Sequence, residues 1–337
     1  MAVDIEDTDA LTAYLRSAGR VGADESPEIR VLAGGISNRT VLVERPGGET
    51  WVLKQALPKL RVEVDWFSDP ERIHREALGL RWLARLAPSG TTTPFVFEDH
   101  EEHLMAMEAV PQPHENWKVM LLNGTVDENH VEQFGRLLGT IHRGASECRE
   151  EVARIFEDRT FFESLRLEPY YGYTAECVPA AAGFLRSLID ETRARRVTLV
   201  HGDYSPKNIL VHRGRLVLLD HEVIHFGDPA FDLGFSLAHF LSKAHHLPDH
   251  RAVFAEAAKL YWSVYLREVG GADWAGGLKE RAVRHTLGCL LARVEGRSPL
   301  EYLDEQERAH QREVVLDLIP DAPGSVPELV DRFTGRL

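Results

Sequence analysis

Apolar residues recur along this chain with two different periods. From Thr8 to about Ala18 the spacing is helical, with Leu11, Tyr14, Leu15 and Ala18 on one face and Gly19 as a stop. Three β-rich stretches follow, Arg30–Leu32, Thr40–Glu44 and Trp51–Gln55, and Pro46-Gly47-Gly48 turns the last two into a hairpin. Helical spacing returns from about Asp69 to Ala87, where Ile73, Glu76, Leu80 and Leu83 share a face at steps of three and four. One carboxylate therefore sits inside an apolar stripe. Phe95–Glu98 and Leu104–Glu108 read as two more strands, and Ala109-Val110-Pro111-Gln112-Pro113 as a connector, since proline cannot continue a ladder.

Beyond the connector the pattern is mainly helical: Val131–Arg143, Ala180–Arg195, Phe231–Lys243, Arg251–Glu268 and Leu278–Arg293. Val197–Val200, Ile209–His212 and Arg215–Leu219 interrupt it as short strands. Strands first and helices afterwards predict an α+β protein of two lobes. An N-terminal lobe, residues 1–109, carries an antiparallel sheet with one helix. A larger, mainly helical C-terminal lobe takes residues 110–337. His245-His246 has no helical i, i+4 partner and reads as a solvated loop.

Composition narrows the partners. Of 337 residues 44% are apolar and 27% charged, a globular balance. Fifty-three acidic residues against 39 basic ones leave a net charge of −14, which repels nucleic acids and anionic membrane surfaces and permits a cationic or amine-bearing partner. Cys148, Cys177 and Cys289 form no C-x-x-C pair and no disulfide framework, as in a reducing compartment. The opening Met1–Asp7 is acidic where a secretion signal is basic and then apolar, and no apolar run approaches the ~20 residues that span a bilayer. The expectation is a cytoplasmic protein; the sequence sets no oligomeric state.

The densest polar information lies in His201-Gly202-Asp203-Tyr204-Ser205-Pro206-Lys207-Asn208. One apolar strand delivers the chain to this loop and another leaves it, a stiff mounting for a carboxylate and an amide. After the next hairpin a strand ends in Asp220-His221-Glu222. Carboxylates with an amide oxygen make an all-oxygen set that suits Mg²⁺. The spacing Asp203–x4–Asn208–x11–Asp220 is that of kinase-like phosphoryl transfer, in which Asp203 receives the proton of an acceptor hydroxyl while Asn208 and Asp220 hold the metal. Upstream, Gly34 and Gly35, followed by Ser37 and Asn38, join the first two strands and let backbone N–H groups approach phosphates. Lys54 stands in an apolar strand, and Glu76, on its apolar helix face, needs a cationic partner that Lys54 supplies.

With these residues the sequence resembles the aminoglycoside phosphotransferase/choline kinase family, relatives of the protein kinases, from about Val31 to about Lys243. HGDYSPKN at His201–Asn208, LLDHE at Leu218–Glu222 and GDPAFDLG at Gly227–Gly234 carry it. The resemblance implies a protein-kinase-like fold with a nucleotide cleft between the lobes, and an enzyme that moves the γ-phosphate of ATP, with Mg²⁺, to a hydroxyl of an aminoglycoside, sugar or amino alcohol. It implies that Asp203 is the catalytic carboxylate, Asn208 and Asp220 are metal ligands, and Glu222 is a further acidic group near the metal. Asp232, with His201, braces the catalytic loop. Glu108 and Val110 read the adenine edge through their backbone, and Met107 lies at the back of the nucleotide pocket. Only 11 residues separate Asp220 from Asp232, too few for a long activation segment, which disfavours a protein or lipid kinase. The third alternative, a catalytically dead ATP-binding module, has every family position for chemistry filled against it. Lys54–Pro58 followed by Asp65-Trp66, and His221-Glu222, are similar to the methylthioribose kinase branch. The loop HGDLHTG of that branch is absent, so its substrate is not carried over.

Overall fold

In the strand Thr50–Ala56, Trp51, Leu53 and Gln55 are buried on one face while Val52 and Lys54 occupy the other, the period-two alternation of a sheet. This is β3 in a computed structural model of the chain, which describes residues 3–32, 35–61 and 65–337. With β1 (Glu28–Val31), β2 (Asn38–Glu44), β4 (Phe95–Asp99) and β5 (Leu104–Glu108) it builds a five-stranded antiparallel sheet in the order β1-β2-β3-β5-β4. Lys54 is in register with Thr40 on one side and Met105 on the other.

Both faces of the sheet are covered. Helix α1 (Thr8–Ser17) is started by Asp7, whose carboxylate accepts from the N–H groups of Asp9 and Ala10. Its Leu11 and Leu15 join Val41, Val43, Trp51, Leu53 and Phe97 in one core. Helix α2 (Arg72–Leu86) lays Ile73, Ala77 and Leu80 against Ala56, Met105 and Met107 on the face that carries Lys54. Full burial of each large aliphatic side chain there contributes roughly 1.5–3 kcal/mol. These elements belong to a first compact unit made of the chain up to Arg85, Thr92–Gln112 and the tripeptide Asp220–Glu222.

The second unit comprises Leu86–Thr91, Pro113–Leu219 and Val223–Leu337. It is mainly helical, and its longest helices include Glu128–Glu147, Ala230–His246, Arg251–Val269 and Leu278–Glu295. Stacked and edge-on rings of Trp117, Phe134, Tyr204, Phe240 and Tyr261 fill one part of its core. Helices Ala230–His246 and Leu278–Glu295 meet at Gly234, where a Cβ would lie 2.4 Å from that of His285. Ile209–His212 pairs with Arg215–Leu218, and also with His114–Asn116. Thr198–Val200 pairs with His225–Gly227.

Several elements depart from the sequence pattern. The strands His114–Asn116 and His225–Gly227 are each three residues long, too short to show a period. Residues Glu163–Gly172 wind as a π-helix with Pro169, which lacks an N–H donor, inside it. His245-His246 is not a solvated loop: both histidines end a helix, His245 is buried and His246 Nδ1 lies 2.8 Å from Glu307. Two further helices, Glu305–Leu318 and Val326–Thr334, close the chain. Among the described residues no helix is long and apolar enough to cross a membrane.

Candidate active site

In the first unit β3 and α2 bring Lys54 Nζ to 2.6 Å from Glu76 Oε1, both groups almost entirely buried. The same ammonium reaches Asp220 Oδ1 at 3.0 Å. Burial alone would lower the Lys54 pKa, but Asp220 and Glu76 hold it well above the ordinary lysine range. Burial pushes the Glu76 carboxyl up to about 7 against the pull of Lys54. Asp220 sits at φ +68°, a left-handed conformation that Asp tolerates better than most residues, and it turns the chain out of the preceding strand.

Arg72, at the first position of α2, was not apparent from the sequence. Completely buried, it donates to the main-chain oxygens of Ser37, Leu57 (2.8 Å) and Ser68 (3.1 Å), and its Nε lies 3.3 Å from Glu222 Oε2. Asn38 Nδ2 donates to Ser37 Oγ at 3.2 Å and to Glu222 Oε2 at 3.5 Å, while its own buried Oδ1 has no partner among the described residues. One arginine thus ties the end of the glycine-containing loop to α2 and to Glu222. Gly35 is exposed, with room for a Cβ only 3.1 Å from the oxygen of Asn38; Gly34 lies outside the described residues. Met107 is buried, with Thr93 Oγ1 donating to its sulfur at 3.2 Å. Glu108 ends β5 with an exposed side chain and an N–H donated to Pro94, and Val110 is buried two residues on.

In the second unit Asp203 and Asn208 stand on the loop between Thr198–Val200 and Ile209–His212. Gly202 takes φ +79°, and a Cβ there would meet Val223 Cγ2 at 2.9 Å, so the turn requires glycine. The N–H groups of His201 and Gly202 each donate to Asp232 at 2.7 Å, and His142 Nε2 lies 3.2 Å from the same carboxylate. Burial works to raise Asp232, but His142 and the Gly202 N–H hold it below the usual carboxylate range. His201 Nδ1 accepts the N–H of Asp203 at 3.2 Å. Asn208 Nδ2 donates to the main-chain oxygen of Asp203 at 3.0 Å and to its Oδ2 at 2.7 Å.

A second residue missed in the sequence completes this loop. Arg166, from the π-helical stretch, places Nη2 2.9 Å from Asp203 Oδ2 and donates through Nε to the Gly202 oxygen at 3.1 Å. Both donors use the one carboxylate oxygen, and Asp203 Oδ1 has no hydrogen-bond partner among the described residues.

The donor chemistry fits a hard divalent cation. In the first unit the carboxylates of Glu76, Asp220 and Glu222 gather around Lys54 and Arg72, hard oxygen donors of the kind such a cation takes. In the second, the amide nitrogen of Asn208 is taken by Asp203, which leaves its oxygen as the atom to offer a metal.

A strand lysine paired to a helix glutamate, with a braced loop carrying Asp and Asn, defines a kinase-like phosphotransferase. The chain belongs to the phosphotransferase enzyme family (APH), whose model matches residues 28–269, and is a small-molecule kinase of that family. It is 28% identical over 274 residues to a methylthioribose kinase of Citrobacter koseri, covering 73% of this chain and 68% of that one. Methylthioribose kinase 2 of Oryza sativa subsp. japonica is 24% identical over 295 residues, covering 78% and 68%. A methylthioribose kinase of Pectobacterium carotovorum is 25% identical over 265 residues, covering 68% and 65%, so the chain spans about two thirds of the length of these relatives. Among solved structures, an amicoumacin kinase in complex with AMP-PNP, Ca²⁺ and Ami superposes with a TM-score of 0.59 at 16% identity, over 93% of this chain and 94% of that one. Choline kinase LicA from Streptococcus pneumoniae gives 0.53 at 14% identity, over 93% and 98%. These likenesses show the fold, an α+β protein-kinase-like arrangement.

Proposed function

We propose that the protein transfers the γ-phosphate of ATP to a hydroxyl of a small molecule, with Asp203 as the residue that orients that hydroxyl and receives its proton. The observation that carries this reading is the asymmetry of the Asp203 carboxylate. Arg166 and Asn208 hold Oδ2 at 2.9 and 2.7 Å, while Oδ1 is left to a hydroxyl donor. Asp232 braces the loop through two main-chain N–H groups, so the carboxylate is positioned before substrate arrives.

Lys54, kept protonated by Glu76 and Asp220, supplies positive charge for the α- and β-phosphates. Asn208 and Asp220 offer oxygen ligands to Mg²⁺, with Glu222 nearby on Arg72 and Asn38. Bound Mg²⁺ supplies charge neutralisation for the transferring phosphoryl group. The N–H groups of Gly35, Ser37 and Asn38 cover the phosphates. Backbone groups of Glu108 and Val110 read the adenine edge, with Met107 behind it. The enzyme works as a cytoplasmic catalyst with no nucleic-acid or membrane partner, in keeping with its net charge of −14.

The test is ADP release in the presence of Mg·ATP and a panel of aminoglycosides, methylthioribose, hexosamines and choline. With any acceptor that turns over, Asp203→Ala lowers the rate by roughly two to four decades while Mg·ATP still stabilises the variant thermally. Full activity of that variant on the true acceptor would overturn the assignment.

A further inference from the structure

Beside the catalytic loop, within the second unit, several cations gather with little to neutralise them. Lys243, in the last turn of Ala230–His246, is completely buried. Among the described residues its ammonium has one hydrogen-bond acceptor, the oxygen of His239 one turn back at 3.3 Å, and no carboxylate partner. Buried Arg293, from Leu278–Glu295, donates through Nη1 to the Tyr170 hydroxyl at 2.9 Å and to Ser298, and its Nε has no partner among the described residues. Lys118 pairs with Glu301, whose side chain is exposed. Lys118 and Lys243 approach the ring of Tyr302 to 6.0 and 5.3 Å, and the buried Tyr302 hydroxyl likewise has no hydrogen-bond partner among the described residues.

The cluster is tied to the reacting end of the site by two routes. Asn116, next to the helix that carries Lys118, donates to the main-chain oxygen of Lys207 on the catalytic loop at 2.7 Å. Tyr170, which receives Arg293, stands four residues from Arg166, which holds Asp203. Burial first, then Lys118 and Arg293, push Lys243 down to about 7, with Glu301 opposing. Buried His239 is pushed well below its ordinary range by burial and then by Lys243, Arg293, Lys118 and Lys207. A buried ammonium without a counter-charge is costly, and a bound anion removes that cost. An amine-bearing acceptor would add to the repulsion.

We infer that Lys243, Arg293 and Lys118 bind an oxyanion group of the acceptor, so that the phosphorylated hydroxyl belongs to a small acid, a carboxylate or a phosphate ester. This rests on the kinase reading above and narrows its acceptor. The oxyanion accepts hydrogen bonds from the lysines and the guanidinium, and the hydroxyl carried by the same molecule faces Asp203.

The experiment uses the full chain at neutral pH and fixed ionic strength. Sodium acetate, inorganic phosphate and methylammonium chloride are titrated calorimetrically, with and without Mg·ADP. Saturable binding of acetate or phosphate is expected, with none of methylammonium, and it persists with Mg·ADP. Acetate as the tighter ligand assigns a carboxylate, phosphate a phosphate ester. Lys243→Met and Arg293→Gln each weaken binding by about tenfold or more. Should either fail to fold, Lys118→Met at the rim carries the comparison. Absence of saturable anion binding, binding unchanged in every folded variant, preference for methylammonium, or displacement by Mg·ADP would each overturn the site. Thermal stabilisation of the unaltered protein by Mg·ATP checks the kinase reading separately. Anion binding without Mg·ATP binding keeps the site and sinks that reading, whereas Mg·ATP binding without anion binding sinks the site alone.

Discussion

The guanidinium of Arg166 and the amide of Asn208 meet on a single oxygen of Asp203, at 2.9 and 2.7 Å. Two donors on one oxygen fix the direction in which the other points. Removing one donor loosens that direction without removing the carboxylate.

Arg166→Met therefore lowers kcat by about 10- to 100-fold, the scale on which small misplacements of a positioned group act. The KM for ATP changes by less than about twofold, because Lys54 is untouched. Arg166→Lys recovers part of the loss, as one cation is restored but not the fork that also serves the Gly202 oxygen. Steady-state kinetics of the two variants decide it; a loss confined to the KM for ATP would contradict the positioning role.

The buried pair of Lys54 and Glu76 predicts a non-additive stability pattern. Lys54→Met leaves the buried Glu76 carboxylate without its cation, takes one cation from Asp220, and destabilises the fold by roughly 3–5 kcal/mol. Adding Glu76→Gln to that variant returns part of the loss, since the amide needs no counter-charge. Urea unfolding of the single and double variants measures the coupling, and strictly additive losses would show that the pair is not energetically linked.

Lys243 makes stability depend on alkaline pH. Its folded pKa of about 7 lies below the ordinary 10.5, so between these values the unfolded chain binds more protons and stability falls as pH falls, levelling off below about 7. Lys118, Arg293 and Glu301 face it from neighbouring elements, and the acid does not balance the two bases. Lys243→Met removes this dependence, and its stability relative to the unaltered protein grows by at most about 1.4 kcal/mol per pH unit on going down through the window. Unfolding curves across that window check it; a difference that stays constant with pH would contradict the buried, depressed lysine.

Gly234→Ala places a methyl 2.4 Å from the Cβ of His285 and 2.5 Å from its carbonyl carbon, so one helix must shift. The expected loss is about 1–3 kcal/mol or more, read as a lower melting temperature. Gly183→Ala in helix Ala182–Ala194, where a Cβ meets nothing within 4 Å, is the control and stabilises by about 0.5–1 kcal/mol.

Much of this fold could be read from period and punctuation. The β-rich run Trp51–Gln55 and the three-four spacing of α2 were visible, and the carboxylate of Glu76 inside an apolar stripe announced a buried partner. The loop His201–Asn208 was legible because polar types crowd between two apolar strands. Arg166 was not, since its reach to Asp203 depends on a π-helical wind that no simple period reveals. Arg72 looked like an ordinary residue at a helix start, and only the fold buries it against Ser37, Leu57 and Glu222. Lys243 did no more in the sequence than end the helical stretch Phe231–Lys243. Its burial comes from residues around Lys118, Arg293 and Tyr302, all at least 50 positions away, which local patterning does not encode.

The first unit takes its last three residues from far along the chain, at Asp220–Glu222. A fragment ending at Gln112 would keep every strand of the sheet, yet leave Lys54 with Glu76 alone and strip the carboxylate from Arg72 and Asn38. The sheet unit is therefore not a cassette that recombination can exchange by itself. Any crossover that swaps it must bring a matching tripeptide from more than 100 residues downstream, so the two segments are inherited as one.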